Sequence, residues 1–292
     1  MIIIELSPTA ALARAFKTDV TIEAEYGNEV IEGTIFTSAH HQKSGKYSKQ
    51  HSPAPCNNPD IPYIQDGTIL VGHIDLDSLA GCIRAYSRSE LFAPEHKTFW
   101  ALAEFVDLHG LHRLKEAGAF HEDVRALHAY FAAEKTFPKF PDDATSDIYN
   151  VVRRAHDLLD RILVKRDNGL LVHGDRFVAN QAQINARTFR FFQSEKGIIG
   201  RIAANKSDAC DHLFVSPKGQ IAKAAVSLNE EDGTITISLA EPQDGISCIK
   251  IASEIWGADV RGNDMVATSP KGIRLVSMDW SLAISCIVDA MK

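Results

Sequence analysis

The sequence has no excess of basic charge. Its 31 Lys and Arg residues stand against 38 Asp and Glu residues, which gives a net charge of −7. A protein that coats nucleic acid or an anionic membrane is normally basic, so any polyanionic partner of this chain must be held by a local site. A small anionic substrate or a short oligonucleotide is compatible with this charge.

Cysteine is scarce and follows no motif. The 292 residues include five cysteines, an odd number at wide spacing without a Cys-x-x-Cys pair. This pattern argues against a disulfide framework and favours a reducing compartment. The N-terminal residues lack the basic start of a signal peptide, and no apolar run approaches the ~18 residues of a membrane span. We therefore expect a soluble, cytoplasmic protein without a membrane partner, and we leave a homodimer open.

The apolar pattern predicts an α/β fold in two domains. The length fits two domains of roughly 100–200 residues each. Alternating and helical patterns predict a sheet with helices around it over 1–194, with a Gly-Asn hairpin near residue 27 and a long loop over 42–66. Short β-prone runs and a closing helix predict a smaller α/β domain over 195–292. We expect the first domain to be catalytic and the second to bind substrate.

The segment GTILVGHIDLDSLAGC, residues 67–82, has the strongest chemical signal. Its first part is apolar on both faces, which is typical of an inner parallel strand. His73, Asp75 and Asp77 follow at alternating positions and would share one face at the carboxyl end of that strand, where α/β sheets bind ligands. Converging carboxylates repel each other unless a cation lies between them, so the pattern predicts a divalent metal. The alternative is that Asp77 or Ser78 simply caps the next helix.

Further potential ligands lie beside the loop over 42–66. His40 and His41 close a β-prone run, and because consecutive strand residues face opposite ways, both reach one metal only where the strand breaks. Otherwise one binds metal and the other contacts substrate. His51 and Cys56 follow within the loop, and imidazole and thiolate suit zinc, iron or manganese to different degrees. A solvated loop with incidental histidines is the alternative.

An apolar helical stripe in FWALAEFVDLHGLHRL ends near Asp107. A carboxylate at a helix C-terminus is disfavoured by the helix dipole, so helix stability does not explain why an aspartate occupies position 107. It is predicted to complete a metal shell or to bridge two metals about 3.5–4 Å apart. His109 and His112 have a simpler alternative, because histidines often complement the dipole at this end.

A polar run near the C-terminus has the features of a phosphate-binding loop. Arg261-Gly262-Asn263 and Lys271-Gly272 combine glycines, hydrogen-bond donors and cations. Glycine lets backbone N–H groups approach an oxyanion, and arginine offers bidentate phosphate contacts. Arg201 is a further candidate cation. Polar turns between strands are the alternative for this run.

The assembled motifs resemble those of the DHH phosphoesterase superfamily. The segment 73–77 matches its His-x-Asp-x-Asp motif, Asp107 could match its isolated Asp, and residues 39–41 look like its Asp-His-His signature with Ala39 in place of the Asp. Here the His-His pair comes before His-x-Asp-x-Asp, the reverse of the family order. The resemblance implies a catalytic domain followed by a substrate-binding domain. It also implies two divalent metals, usually manganese, for hydrolysis of phosphodiesters or related bonds.

We expect a metal-dependent hydrolase that uses metal-activated water, with Mn²⁺ as the first choice of metal and Zn²⁺ or Fe²⁺ as alternatives. His51 or His109 would act as general acid or base. The predicted metal ligands are His40, His41, His73, Asp75, Asp77 and Asp107, and the predicted substrate contacts are Arg201, Arg261, Asn263 and Lys271.

Two other functions are compatible with the sequence. One is a mononuclear zinc or iron hydrolase that acts on an amide, ester or acyl bond. Its ligands would be His40, His51, Cys56 and His73. The other is a non-catalytic binding protein in which a metal only braces the long loop. Metal identity separates the first of these from a manganese phosphoesterase, because ligation by Cys56 favours zinc.

Overall fold

The computed structural model of the protein describes residues 1–42, 44–118, 121–205, 208 and 213–291. The chain forms two compact units. The N-terminal unit comprises 1–108 and 117–177, and the C-terminal unit comprises 109–116 and 178–292. Each unit combines a sheet with helices, which confirms the α/β class. The division falls within a long helix, whereas the sequence pattern predicted a boundary after residue 194.

Seven strands belong to the N-terminal unit. They are β1 (Ile2–Leu6), β2 (Val20–Ile22), β3 (Glu25–Tyr26), β4 (Glu29–Val30), β5 (Phe36–Ser38), β6 (Gly67–Val71) and β7 (Ser146–Asp147). Five of them form a sheet in the order β5-β2-β6-β1-β7, parallel except for β7. β6 lies between two parallel neighbours, as its apolar sequence predicts. β3 and β4 form the predicted hairpin.

Six α-helices begin within the described residues of this unit. They are α1 (Ala10–Ala13), α2 (Leu76–Tyr86), α3 (Lys97–His109), α4 (His121–Glu134), α5 (Tyr149–Leu159) and α6 (Asn168–Thr188). α2 packs against β2, β6 and α5, because its apolar face, with Leu79 and Ile83, is fully buried. Each such side chain stabilises the fold by about 1.5–3 kcal/mol. α2 therefore rests firmly on the sheet, with its N-terminus just beyond the carboxyl end of β6.

The predicted loop over 42–66 has one short 3₁₀ turn, Pro55–Asn57, within its described residues. Its second half is tied down by several hydrogen bonds to α2, α3 and β5. Glu104 of α3 accepts from the Ala54 amide and from the Asn57 side chain. The side chain of Asn58 donates to Ser38 at the end of β5. These bonds fix the loop next to the carboxyl ends of the strands.

The C-terminal unit contains a second sheet. Its elements are β8 (Phe189–Gln193), β9 (Ile198–Ala203), β10 (Ala224–Asn229), β11 (Thr234–Leu239), α7 (Cys248–Trp256), β12 (Arg261–Gly262), β13 (Val266–Thr268) and α8 (Ser277–Ala290). The order is β12-β13-β11-β10-β9-β8. α8 packs on β10, where the Trp280 indole donates to the Val226 carbonyl at 2.9 Å. Among the described residues, no helix has the length and apolar character needed to cross a membrane.

The apolar spacing over 179–192 predicts a helix, but the helix ends at Thr188 because the aromatic residues that follow form β8 and pair antiparallel with β9. The β-prone run 212–216 predicts a strand, which is not found in the described part: residue 212 lies outside it, and Val215 forms only an isolated bridge to Ile221. The β-prone runs 198–203 and 234–239 also predict strands, and both are strands with those bounds.

Candidate metal centre

Three adjacent parallel strands bring ionisable side chains to the same edge of the N-terminal sheet. Glu23 comes directly after β2, His40 and His41 follow β5, and the segment 73–77 follows β6. The carboxyl ends of parallel strands meet at one edge, so residues distant in sequence become neighbours there. α3 adds Asp107 near its C-terminus. In this arrangement the strand-end residues converge, as the sequence pattern predicts.

His40 lies at the centre of the cluster. Its Nε2 atom is 2.9 Å from Asp107 Oδ2, 3.9 Å from Asp77 Oδ2 and 4.0 Å from Glu23 Oε1. The His40 side chain is 1% exposed. One imidazole thus faces three carboxylates in an interior position.

His41 approaches the same cluster from its solvent side. Its Nε2 atom lies 2.9 Å from Glu23 Oε2 and 3.9 Å from Asp107 Oδ2. β5 ends at Ser38, so the strand breaks before the two histidines, and their rings lie with centroids 4.3 Å apart. The carboxylate of Glu25 accepts hydrogen bonds from both histidine amides and fixes this turn of the backbone. Both imidazoles therefore reach one site, which is the first of the two arrangements predicted for them.

Glu23 was not predicted to be part of the site. It is fully buried, and its φ of +50° lies in the left-handed region, which a non-glycine residue adopts only under constraint from its surroundings. The end of β6 packs directly on it: a Cβ at Gly72 would lie 2.1 Å from the Glu23 carbonyl oxygen, so glycine is required there. The sequence signal that could have found Glu23 is its position directly after a buried strand, the same signal that singled out His73.

Asp77 is held in place from the loop and from α2. Its Oδ1 atom accepts a 2.7 Å hydrogen bond from the Cys56 amide, and the carboxylate is 3% exposed. Asp77 lies in the first turn of α2, where a negative charge is favoured by the helix dipole. Its Oδ2 atom is left facing His40. The loop over 42–66 thus contributes to the site through a backbone N–H.

The electrostatics of the cluster indicate a shortage of positive charge. Burial raises the pKa of Glu23 well above its usual value, and burial together with the charges of Glu23, Asp75 and Asp107 does the same to the pKa of Asp77. Burial disfavours protonated His40, but the hydrogen bond to Asp107 and the charges of Glu23 and Asp77 outweigh it and raise its pKa. Carboxylates that crowd together in this way are stabilised by a cation.

Several buried polar atoms of the cluster make no hydrogen bond with the described residues. They are Oε1 of Glu23, Oδ2 of Asp77 and Nδ1 of His40, whereas Oε2 of Glu23 has the 2.9 Å approach of His41 Nε2. A buried polar atom without a partner costs about 1–3 kcal/mol, and more when it is charged. Within the described residues, two sets of potential ligand atoms lie within 4.8 Å of one another: Glu23, His40 and His41, and His40, Asp77 and Asp107. The donor set of carboxylates and imidazoles fits a divalent cation.

His73 and Asp75 pair with each other. His73 Nε2 lies 2.9 Å from Asp75 Oδ2, and the other Asp75 oxygen accepts from the Ser78 amide as the N-cap of α2. The predicted shared face of His73, Asp75 and Asp77 is wrong in its geometry, because β6 ends at Val71 and α2 begins at Leu76. Partial burial works against protonated His73, but its hydrogen bond to Asp75 raises the pKa to about 9. The ring is 6.1 Å from that of His41, centroid to centroid.

The predicted loop ligands and catalytic histidines lie outside both ligand sets of the described residues. His51 is exposed. Cys56 is buried, its Sγ atom contacts the Trp100 carbonyl at 3.9 Å, and burial raises the pKa of its thiol well above the usual value. A thiol held in its protonated form is a poor zinc ligand. His109 is the last residue of α3.

The predicted substrate-binding residues all belong to the C-terminal unit. Arg201 is 2% exposed, and its guanidinium donates to the carbonyls of Leu213, Val215 and Asn185 and to the side chains of Asn185 and Thr188. All five of its N–H donors are engaged, so it acts as a structural centre rather than an exposed phosphate contact. The reason is its position on the inner strand β9, between β8 and β10, where the side chain points into the unit.

The other three residues have the surroundings of polar turns. Asn263 accepts hydrogen bonds from the amides of Met265 and Val266 and thereby shapes the β12–β13 turn. Arg261 and Lys271 are exposed. The C-terminal unit contains a cavity of about 370 Å³ that is lined by Arg201 and by none of these three.

Comparison with protein-family models finds no match, and comparison with curated proteins finds none either. One solved structure with detectable similarity is that of an uncharacterized protein from Helicobacter pylori G27. The sequence identity is 8%, the TM-score is 0.20, and the alignment covers 76% of this chain and 68% of that chain. Similarity at this level carries no argument about fold or function.

Proposed function

We propose that the protein is a metal-dependent hydrolase whose metal centre is the cluster around His40. The observation that carries this proposal is the set of buried carboxylate oxygens of Glu23 and Asp77 that lack hydrogen-bond partners and face imidazoles. A structural cluster would satisfy these atoms within the protein. A cation would satisfy them and would offset the mutual repulsion of three carboxylates.

Two neighbouring ligand sets favour a centre with room for two cations. His40, Asp77 and Asp107 form the interior set, and Glu23, His40 and His41 form the outer one, so the two sets share His40. Mixed carboxylate and imidazole ligands suit Mn²⁺, Zn²⁺ and Fe²⁺, and the resemblance to DHH phosphoesterases favours Mn²⁺ among them. A bound divalent cation would supply Lewis acidity and a water of lowered pKa.

The hydrolysis of a phosphate ester is the reaction we propose. A pair of cations is well suited to the attacking and leaving oxygens of an in-line displacement at phosphorus. His73 is half-exposed beside the cluster and carries a proton at neutral pH because of Asp75. It is therefore a better candidate for the general acid than His51 or His109. A small nucleotide or another small phosphate ester is the expected substrate.

The mononuclear zinc alternative lacks support from the geometry of the described residues. Its four ligands are His40, His51, Cys56 and His73. None of the last three shares a ligand set with His40. A zinc ion bound by His40, Asp77 and Asp107 could still support ester or amide hydrolysis, so the test below includes those substrates.

The test is an activity screen of the metal-stripped protein with Mn²⁺, Zn²⁺ or Fe²⁺ added back. We expect Mn²⁺-dependent hydrolysis of bis(4-nitrophenyl) phosphate or 4-nitrophenyl phosphate and little hydrolysis of 4-nitrophenyl acetate. Asp77→Asn should lower the rate by about 100-fold or more, as loss of a metal ligand or its support does elsewhere. Asp157→Asn, at an exposed position of α5, is the matched control and should leave the rate unchanged. Activity with no metal, or activity that Asp77→Asn retains, contradicts the proposal.

A further inference from the structure

A cavity of about 480 Å³ lies beside the proposed metal centre within the N-terminal unit. One wall is formed by the carboxyl ends of β1 and β6, with Leu6 and the segment 72–74. The opposite wall is formed by the segment FPKFPD, 137–142, that follows α4. His73 lines the cavity and lies 6.1 Å from His41 by ring centroids. The cavity and the cluster therefore share His73 as a common border.

The wall over 137–142 is built to present flat apolar surfaces. Two phenylalanines alternate with two prolines, and proline restricts the backbone before any ligand arrives. Phe137 is held by the ring of Tyr130 at 6.4 Å and by the guanidinium of Arg154 at 5.1 Å. Phe140 is partly exposed on the cavity wall. A planar ring of a ligand can stack on such a side chain.

Two charged groups define what else the ligand must carry. Glu134 lines the cavity, and its side chain is only partly buried. Its carboxylate can accept a hydrogen bond from an N–H or O–H group of a ligand. Lys139 is exposed at the same wall and can attract a phosphate. A ring with a donor group and a phosphate are together the features of a nucleoside phosphate.

We propose that this cavity binds the nucleoside half of a nucleoside phosphate. The base stacks on Phe140, a donor group on the ligand pairs with Glu134, and the phosphate lies towards Lys139 and His73. That the bound molecule is also the substrate rests on the proposed function, whereas binding itself does not. This proposal assigns ligand recognition to the N-terminal unit, whereas the sequence pattern predicts it for residues 195–292.

The test is isothermal titration of the full chain in EDTA with three probes: AMP, ribose 5-phosphate and inorganic phosphate. We expect AMP to bind about tenfold or more tightly than ribose 5-phosphate, because only AMP has a base to stack. Equal affinity for the three probes would mean that only the phosphate is recognised, and it would overturn the proposal. Absence of AMP binding at millimolar concentration would overturn it as well.

Two variants and their matched controls locate the site. Phe140→Ala should weaken AMP binding about tenfold and leave ribose 5-phosphate unaffected. Lys139→Met should weaken both. Phe16→Ala and Lys97→Met, at exposed positions away from the cavity, should change neither. AMP binding that survives both cavity variants would contradict this location.

Metal content of the same variants separates this inference from the proposed function. Phe140→Ala and Lys139→Met should retain the metal content of the wild type, since neither residue is in a ligand set. Metal-dependent hydrolysis without AMP binding would remove this inference and leave the proposed function intact. AMP binding by a protein that takes up no metal would support this inference and contradict the proposed function.

Discussion

Arg201 in the C-terminal unit and Asp77 in the N-terminal unit are both ionisable and almost completely buried, at 2% and 3% exposure. The guanidinium of Arg201 donates five hydrogen bonds to described residues, three of them to main-chain carbonyls. Asp77 has one oxygen bonded and the other without a partner, and its nearest charged groups include the carboxylates of Glu23 and Asp107.

The difference distinguishes a buried charge that its neighbours satisfy from one that the described residues leave partly unsatisfied. A fully satisfied buried network stabilises a unique arrangement, while an incompletely satisfied one lowers stability and is retained where it serves another purpose. Glu23 adds a strained backbone to the same site. The carboxyl edge of the N-terminal sheet therefore has the properties of a binding site, and the interior around Arg201 has those of a core. Substitutions at Arg201, Glu23, Glu134 and Asp75 test this contrast between the two regions.

The largest effect is expected from Arg201→Met. The substitution leaves several buried acceptors unpaired, and each costs about 1–3 kcal/mol, so the C-terminal unit should lose about 3 kcal/mol or more of its free energy of unfolding. Chemical denaturation followed by circular dichroism measures the loss. Arg261→Ala, at an exposed edge position, is the control and should change stability by less than about 0.5 kcal/mol. A mild effect of Arg201→Met would mean that its network is not a structural centre.

Glu23→Gln is expected to act in opposite directions with and without metal. In EDTA it removes a carboxyl group whose pKa is raised by burial and which therefore costs folding free energy at neutral pH, so the free energy of unfolding should rise by about 1–2 kcal/mol. Mn²⁺ at about 100 times its Kd should stabilise the wild type by about 2.7 kcal/mol and the variant by much less. Thermal unfolding in EDTA and in Mn²⁺ measures both effects. Equal stabilisation of the two proteins by Mn²⁺ would exclude Glu23 as a ligand.

Glu134 should make the stability of the metal-free protein depend on pH. Burial raises its pKa from 4.5 to about 7, and the charge of Asp75 acts in the same direction. The folded state then binds more protons than the unfolded state between pH 4.5 and about 7, so the free energy of unfolding falls as the pH rises through that range. With allowance for partial exposure, the Glu134 contribution is about 1–2 kcal/mol.

Glu134→Gln, which cannot titrate, isolates this contribution. Denaturant titrations of the wild type and the variant in EDTA at pH 5, 6, 7 and 8 should show a smaller fall for the variant. Parallel pH profiles for the two proteins would refute the assignment. Glu122→Gln, an exposed glutamate in the first turn of the same helix, is the control and should follow the wild type.

The smallest effect concerns Asp75. As the N-cap of α2 it should contribute about 1 kcal/mol, so Asp75→Ala should be destabilised by that amount and Asp75→Ser should recover most of it. Because Asp75 lies outside both ligand sets of the described residues, Mn²⁺ affinity should change little in Asp75→Ser. Urea denaturation and metal titration of the two variants check these points. A large loss of Mn²⁺ affinity in Asp75→Ser would mean that Asp75 is a metal ligand, as the sequence pattern predicts.

The sequence was sufficient to predict the elements on which the site is built. Alternation and apolar runs predicted β1, β6, the β3–β4 hairpin and most helices, because those patterns reflect burial directly. His40, His41, Asp77 and Asp107 could be named because each was unusual where it stood: a histidine pair at a strand end, a carboxylate after a buried strand and a carboxylate at a helix C-terminus. The structure brings these four together.

The remainder depended on tertiary geometry. The position of Glu23 directly after a buried strand marks it as a strand-end residue, but it joins the cluster only because β2 lies between β5 and β6, and strand order is not visible in the sequence. Asp75 satisfied the period-two pattern, but the strand ended early and Asp75 became a helix cap. Arg201 appeared to be a free cation because sequence does not show which side of a central strand faces the interior. The roles of these three residues were not predicted correctly because they depend on strand order and exact strand ends, which residue types do not reveal.

The most direct test of the central claim is to titrate Mn²⁺ into the EDTA-treated, desalted chain and to count bound ions by elemental analysis. The cluster around His40 predicts saturable binding of at least one ion per chain, its loss in Asp77→Asn and its retention in the control Asp157→Asn. A wild-type chain that binds no Mn²⁺, Zn²⁺ or Fe²⁺, or an Asp77→Asn chain that binds as the wild type does, would contradict the existence of a metal centre at this edge of the sheet.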